Sequence, residues 1–261
     1  MTNRVKKNME TERTKRKSRL KTILLISCFA FSFLIFSALI FAASPYRSLR
    51  PYRLFGVSMT KDQNETVLIH GINDLSDYYI DRIPVTIGNY KLCAKENKCA
   101  VPHYRDGFEK MWTNPFYEFF PVTFVAWQAA RDYCIARGGD LPTSQQWSHA
   151  ASFGNEGRYA WGNDLPSLER TNADGFYQWL TPAGCLPQGA SATGLLDMNG
   201  NVREWILNEN PDGTGGRGLK GGGSQDSFSD IATENTFYHY AISAGFNRGF
   251  RCVYPVSDPA E

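Results

Sequence analysis

The stretch from Gly194 to Trp205, GLLDMNGNVREW, constrains the fold more than any other part of the chain. It places oxygen-bearing side chains at Asp197, Asn199, Asn201 and Glu204 between two short apolar ends. Asn199-Gly200 is a strong turn signal, because glycine tolerates positive φ and an Asn side chain bonds nearby backbone. A turn that presents carbonyls between two carboxylates is a cage for a hard cation such as calcium. The spacing is not that of an EF-hand loop, whose bidentate Glu sits further along. A polar hairpin without metal satisfies the same pattern, so these residues by themselves leave both readings open.

A second feature divides the chain. From Thr22 to Ala43 the sequence is TILLISCFAFSFLIFSALIFAA, without a charge. A helix of that length reaches roughly 33 Å, enough to cross a bilayer core. A cleaved secretory signal has a shorter apolar region of about 7–15 residues. Residues 22–43 are therefore expected to form an uncleaved transmembrane anchor, with cleavage near Ala43 as the alternative. Nine Lys and Arg residues fall within the first 21 positions, although the whole chain carries a formal charge of only +2. A basic arm alone would suggest nucleic acid. Beside an apolar span it sets orientation instead, with the N-terminus cytoplasmic and the rest outside. The expectation is a single-pass protein of a bacterial-type inner (plasma) membrane, its domain periplasmic or extracellular, with no nucleic-acid partner. Leu25 to Cys28 mimics a lipoprotein box, but cleavage there would strand the apolar residues that follow, so Cys28 reads as an ordinary membrane residue.

The expected order is a basic cytoplasmic arm (1–21), the anchor (22–43), a juxtamembrane linker (44–64), a domain over 65–256 and a short tail (257–261). The linker holds Pro45, Pro51 and three arginines with little periodicity. Val67 to Ile69 and Tyr78 to Ile83 are β-prone runs separated by an Asn/Asp/Ser turn. Thr86 is an N-cap for a short helix. Thr123 caps a second, with Val125, Ala129, Tyr133 and Ala136 near helical spacing and Gly138-Gly139 ending it. Thr143 with Gln146 forms a capping box for a third, and Trp147 points to its apolar side. Beyond Ala151 short β-prone pieces alternate with turns. Few helices, many turns and six tryptophans point to an α+β domain that relies on its loops.

GLLDMNGNVREW also resembles the signature of the formylglycine-generating enzyme family, the sulfatase-modifying factors. The resemblance continues through YYIDRIPVTIGNY and PVTFVAWQAARDYCIARGGDLPTSQQW upstream, then KGGGS and NRGFRCV downstream, covering roughly residues 65 to 254. It implies a loop-rich fold related to C-type lectins. It implies one calcium ion held by Asp197, Glu204 and the carbonyls of Gly200 and Val202. A second family ion is matched only in part, by Asn172 and Asp174 in a shorter loop.

Outside the membrane lie Cys93, Cys99, Cys134, Cys185 and Cys252, and an oxidising exterior makes disulfides the default. Cys93 and Cys99 close a small loop, worth roughly 2 kcal/mol. A zinc site is the rival reading, but no His or Cys nearby completes a tetrahedron. The resemblance implies a Cys134–Cys252 bond, which leaves Cys185 the odd one out. It reads as a spare thiol or an intermolecular partner rather than a nucleophile, because nothing beside it would activate it.

Active members of the family bind copper through two cysteines, three and eight residues after the Ser of the Gly-Gly-Ser turn. Here the turn is Gly222-Gly223-Ser224, and those positions hold Ser227 and Ala232. Neither supplies the soft thiolate that Cu(I) prefers, so copper and oxidase chemistry of the family type are not expected. The sulfoxide-forming branch uses three histidines on a helical domain. His70, His103, His149 and His239 are scattered, and no such domain is present. Ser227 lacks a nucleophile elbow. The family's substrate groove is lined by the segment that here holds Ser224, Asp226, Phe228, Tyr238, His239 and Tyr240. Such residues suit a contact surface, and a reading in which half of them simply fill the fold stands beside it. The expected function is non-catalytic binding of a peptide or protein partner in that groove. An enzyme acting on a protein cysteine by altered chemistry, and lectin-like glycan binding, are the alternatives.

Overall fold

The computed structural model describes residues 65–256 except 106 and 154–155, together with the backbone of two short strands at 52–54 and 57–59. The expected arm, anchor and tail lie outside the described residues. Among the described residues no helix is long and apolar enough to cross a membrane.

Two short strands, β1 (Tyr52–Leu54) and β2 (Val57–Met59), pair antiparallel within the stretch expected to be linker. β3 (Thr66–Ile69) and β4 (Tyr78–Asp81) form the expected antiparallel pair. The other side of β4 is covered by β9 (Val253–Pro255), the last strand among the described residues.

α1 (Ile87–Lys95) starts where Thr86 predicts, with its hydroxyl accepting the Asn89 N–H. α2 (Lys110–Thr113) and a 3-10 turn (Pro115–Phe119) follow. α3 (Trp127–Ala136) corrects the expectation for Thr123. Phe124 sits at φ 57°, which breaks any helix begun at Thr123, so the N-cap falls to Ala126 and Val125 lies ahead of the helix. Gly138 ends the segment at positive φ, as expected. α4 (Ser144–Ser152) carries the full Thr143/Gln146 capping box.

The second half is a four-stranded sheet in the order β7-β6-β5-β8. β5 (Arg203–Glu209), β6 (Gly216–Lys220) and β7 (Phe237–Tyr240) are antiparallel, and β8 (Arg248–Gly249) lies parallel to β5. The core joins both halves: Tyr90, Tyr133, Trp205 and Phe250 are fully buried together. Each large apolar side chain removed from water contributes about 1.5–3 kcal/mol. Two indoles lock the halves in register, Trp205 Nε1 donating to Val125 O and Trp127 Nε1 to Ile206 O. Cys134 is bonded to Cys252 and Cys93 to Cys99. Half-buried Cys185 takes part in neither bond.

Candidate functional site

The loop from Gly194 leads directly into β5. Asp197 (φ 55°), Gly200 (φ 110°) and Asn201 (φ 65°) all take left-handed backbone. At Gly200 this is required twice over, since a Cβ there would meet Thr171 Oγ1 at 2.3 Å. The two asparagines are buried and used as struts. Asn199 accepts from Ala160 N and donates to Ile231 O and Thr233 Oγ1. Asn201 bonds both the N–H and the carbonyl of Thr181.

Glu204 follows and points into the core with no exposure. Its Oε2 accepts from Trp147 Nε1 and from Arg251 Nε, both at 2.7 Å, and its Oε1 accepts from Arg251 Nη2 at 2.8 Å. The remaining donors of Arg251 go to the carbonyls of Asp81, Arg82 and Leu196. A buried ion pair is tolerable only when its remaining hydrogen-bonding capacity is satisfied, and here the guanidinium is fully bonded. Nearby, buried Lys220 spreads its ammonium over the carbonyls of Thr233, Glu234 and Asn235. Burial lowers its pKa to about 8.

Asp197 lies beside this pair. Its Oδ2 accepts from Gly184 N and Asn201 Nδ2. Among the described residues no hydrogen bond reaches its other oxygen. Burial pushes its pKa up to about 6 and Glu204 adds to the rise, while the Gly184 and Asn201 bonds and Arg251 oppose it. Two carboxylates against one guanidinium leave net negative charge, but both Glu204 oxygens are committed to Arg251 and Trp147, so the side-chain oxygen left for a hard cation is that of Asp197. Asn172 and Asp174 are not brought together in the same way. Asn172 is buried with its amide on Trp179 O and its Oδ1 without a partner, whereas Asp174 is exposed. Among the described residues no cluster of three or more His, Cys, Asp or Glu side chains is assembled for a metal.

The two positions where the family holds copper do not fit that metal. Ser227 Oγ bonds Asp230 Oδ2 at 2.7 Å and Ser229 Oγ at 2.8 Å. Ala232 offers only a buried methyl, 1% exposed.

The six residues expected to line a groove fall into three groups. Ser224 is fully buried, and Phe228 packs against Tyr159, Ala173 and Ile231, so both fill the fold. Along β7 the side chains alternate: Tyr238 and Tyr240 are exposed on one face, while Phe237 and His239 are half-buried on the other. On that second face Arg203 holds Asp226 with two bonds of 2.6 and 2.7 Å and stacks 4.2 Å from the Phe237 ring. Arg248 donates to His239 Nε2 at 2.8 Å and to Ser243 Oγ at 3.2 Å. Burial, then Arg248 and Arg203, hold His239 below its usual pKa. Asp226 and His239 thus share a site, and Tyr238 and Tyr240 face away from it.

Sequence reasoning did not anticipate Arg203, Arg248, Arg251, Trp147 or Lys220 as site residues. All five sit inside the motifs quoted for the resemblance, with Arg248 and Arg251 in NRGFRCV, Arg203 in GLLDMNGNVREW, Lys220 in KGGGS and Trp147 at the end of the SQQW run, which was the available signal.

Residues 56–256 match the family described as the Sulfatase-modifying factor enzyme 1-like domain. A mouse (Mus musculus) relative named "Inactive C-alpha-formylglycine-generating enzyme 2" is 34% identical over 160 residues, 54% of this chain and 51% of the relative. The formylglycine-generating enzyme of Mycobacterium tuberculosis is 36% identical over 102 residues, 34% of this chain and 33% of its own length. The chain therefore spans about half the length of the first of these curated relatives and a third of the second. Among solved structures, PvdO from Pseudomonas aeruginosa superposes with a TM-score of 0.60 at 19% identity, over 71% of this chain and 83% of that one. That likeness concerns the fold.

Proposed function

The chain belongs to the sulfatase-modifying factor enzyme 1-like domain family, and on that premise we propose that it is a non-catalytic member that binds a protein or peptide partner. The observation that carries this reading is the pair Ser227 and Ala232. A hydroxyl committed to Asp230 and a buried methyl cannot provide the two anionic sulfurs that stabilise Cu(I). The four cysteines of the disulfides cannot stand in, because they are already bonded to one another. The similarity to a relative named as inactive supports the same reading. Around the lost site the fold is retained, so the surface that flanks it can still hold a polypeptide without converting it.

In this proposal the basic arm and the apolar run over 22–43 anchor the chain in a plasma membrane, N-terminus inside, and the domain works outside. A calcium ion held by Asp197 and the carbonyls of Gly200 and Val202 would supply fixed positive charge beside the buried Glu204–Arg251 pair, in which both Glu204 oxygens are committed to Arg251 and Trp147. The Asp197 oxygen that takes no hydrogen bond supports it.

The test is direct. The full chain is incubated with Cu(I), oxygen and a cysteine-containing sulfatase-type peptide, and formylglycine is sought by mass spectrometry. No product above a no-enzyme control is expected. Copper-dependent turnover would overturn the non-catalytic reading.

A further inference from the structure

We infer that the face of β7 carrying Phe237 and His239 is an anion-recognition site for an acidic side chain of a protein partner, with Arg248 as the residue that takes the carboxylate. This rests on the partner-binding reading of the same region. Three observations lead to it.

The first is a like-charge opposition. Arg203 of β5 and Arg248 of β8 are direct register partners. Identical charges placed opposite each other on paired strands destabilise a sheet. Asp226 answers only one of them, gripping Arg203 through both oxygens. Among the described residues no carboxylate pairs with Arg248, and one net positive charge is left in the cluster.

The second is the quality of the partners that Arg248 has. They are a neutral imidazole nitrogen and a serine hydroxyl. A carboxylate is a stronger acceptor than either, because both partners are then ionised and its two oxygens match the guanidinium fork. The guanidinium is therefore held in place by bonds that a carboxylate can displace.

The third is a pair of unused donors. Arg248 Nε and His239 Nδ1 are buried with no hydrogen-bond partner. Because His239 Nε2 accepts from Arg248, the neutral ring carries its proton on Nδ1. Two N–H groups in one cluster thus lack acceptors, and a buried donor left so destabilises the fold. The core pair shows that this chain can satisfy an arginine completely, so the deficit here is local. Arg248, His239 and Ser243 remain partly exposed, which leaves the site open to a chain arriving from outside.

The experiment uses the full chain in detergent and a fluorescein-labelled peptide of alternating Ser and Glu, compared with the same peptide carrying Gln at every Glu. The Glu peptide is expected to bind roughly tenfold or more tightly than the Gln peptide. Arg248→Gln should bring it down to the Gln level, and Tyr240→Ser, on the opposite face, should leave binding unchanged. Should Arg248→Gln fail to fold, His239→Leu, which removes the imidazole donor and acceptor, replaces it and must weaken the Glu peptide selectively. Equal binding of the two peptides would overturn the anion site while leaving the partner-binding reading standing. Binding of neither peptide would overturn it too, and the formylglycine assay then judges the broader reading separately. Displacement of the Glu peptide by inorganic phosphate below the peptide's own dissociation constant would identify a site for a free anion, and would overturn the peptide assignment.

Discussion

Arg203 and Glu204 are neighbours on β5, yet they serve two charged clusters of opposite character. Glu204 faces inward, where Arg251, Trp147 and three backbone carbonyls close the hydrogen bonding around it. Arg203 faces the half-buried side of β7, where only one of two arginines has a carboxylate and two donors are left over. The two surroundings differ in how well charge is matched, although they are one residue apart. A cluster whose bonds are complete has nothing left to offer a ligand, so it serves the fold. A cluster with surplus charge lowers stability in isolation, and gains from a partner that supplies the missing acceptor.

The sharpest way to break this contrast is to unbalance the closed cluster. Glu204→Gln leaves Arg251 buried without its counter-charge, and should cost about 3–5 kcal/mol in urea unfolding of the full chain. A double change of Glu204→Gln with Arg251→Met should cost less than the sum of the two single changes, because the pair is lost as a unit. A loss under 1 kcal/mol for Glu204→Gln would show that the core does not depend on the pair.

A smaller effect belongs to Asp197, which borders the closed cluster without being neutralised by it. Its folded pKa of about 6 lies above the usual 3.8, so the folded state binds the extra proton. Its contribution is fully present below about pH 4 and is lost as pH rises toward 6, amounting to at most about 3 kcal/mol without metal. In EDTA, Asp197→Asn should therefore remove a fall in melting temperature between pH 4 and 6. Calcium, if held there as proposed, should raise the wild-type melting temperature at pH 7 and leave Asp197→Asn unmoved. An identical wild-type melting temperature in EDTA and calcium would exclude the ion.

The smallest expected effect is at the open cluster. Arg248→Gln relieves the opposition to Arg203, and the melting temperature should stay the same or rise slightly, within about 0.5 kcal/mol of stability. A large fall would mean that Arg248 is a structural residue after all.

The local parts of this fold were readable from the chain. Thr86, Thr143 with Gln146, and the turn at Gly138 each act within a few residues, and each stands where its spacing put it. Thr123 misled because the signal that overrides it, a left-handed Phe124 whose N–H bonds Gly245 O, comes from across the molecule. The short spacing of Cys93 and Cys99 pointed to one disulfide, and the family motifs pointed to the Cys134–Cys252 bond and to the loop around Asp197. They did not show that Glu204 is shared between Trp147 and Arg251, nor that Arg203 and Arg248 face each other. β8 is two residues long and pairs in parallel with a strand far upstream, so no periodicity announces it. The residues expected to line a groove were read as one set, but the alternation of β7 divides them, and only the paired structure shows which side carries charge.

The position of β9 sets the order in which this domain can be completed during synthesis. The last described segment of the chain supplies the second neighbour of β4, the bonding partner of Cys134 and the counter-charge of Glu204, all within Arg251 to Pro255. Until those residues emerge, β4 keeps a bare edge, Cys134 stays reduced or mispaired, and a carboxylate waits in a forming core. Completion of this domain thus waits for Arg251 to Pro255, and the growing polypeptide must be kept from aggregating until they emerge.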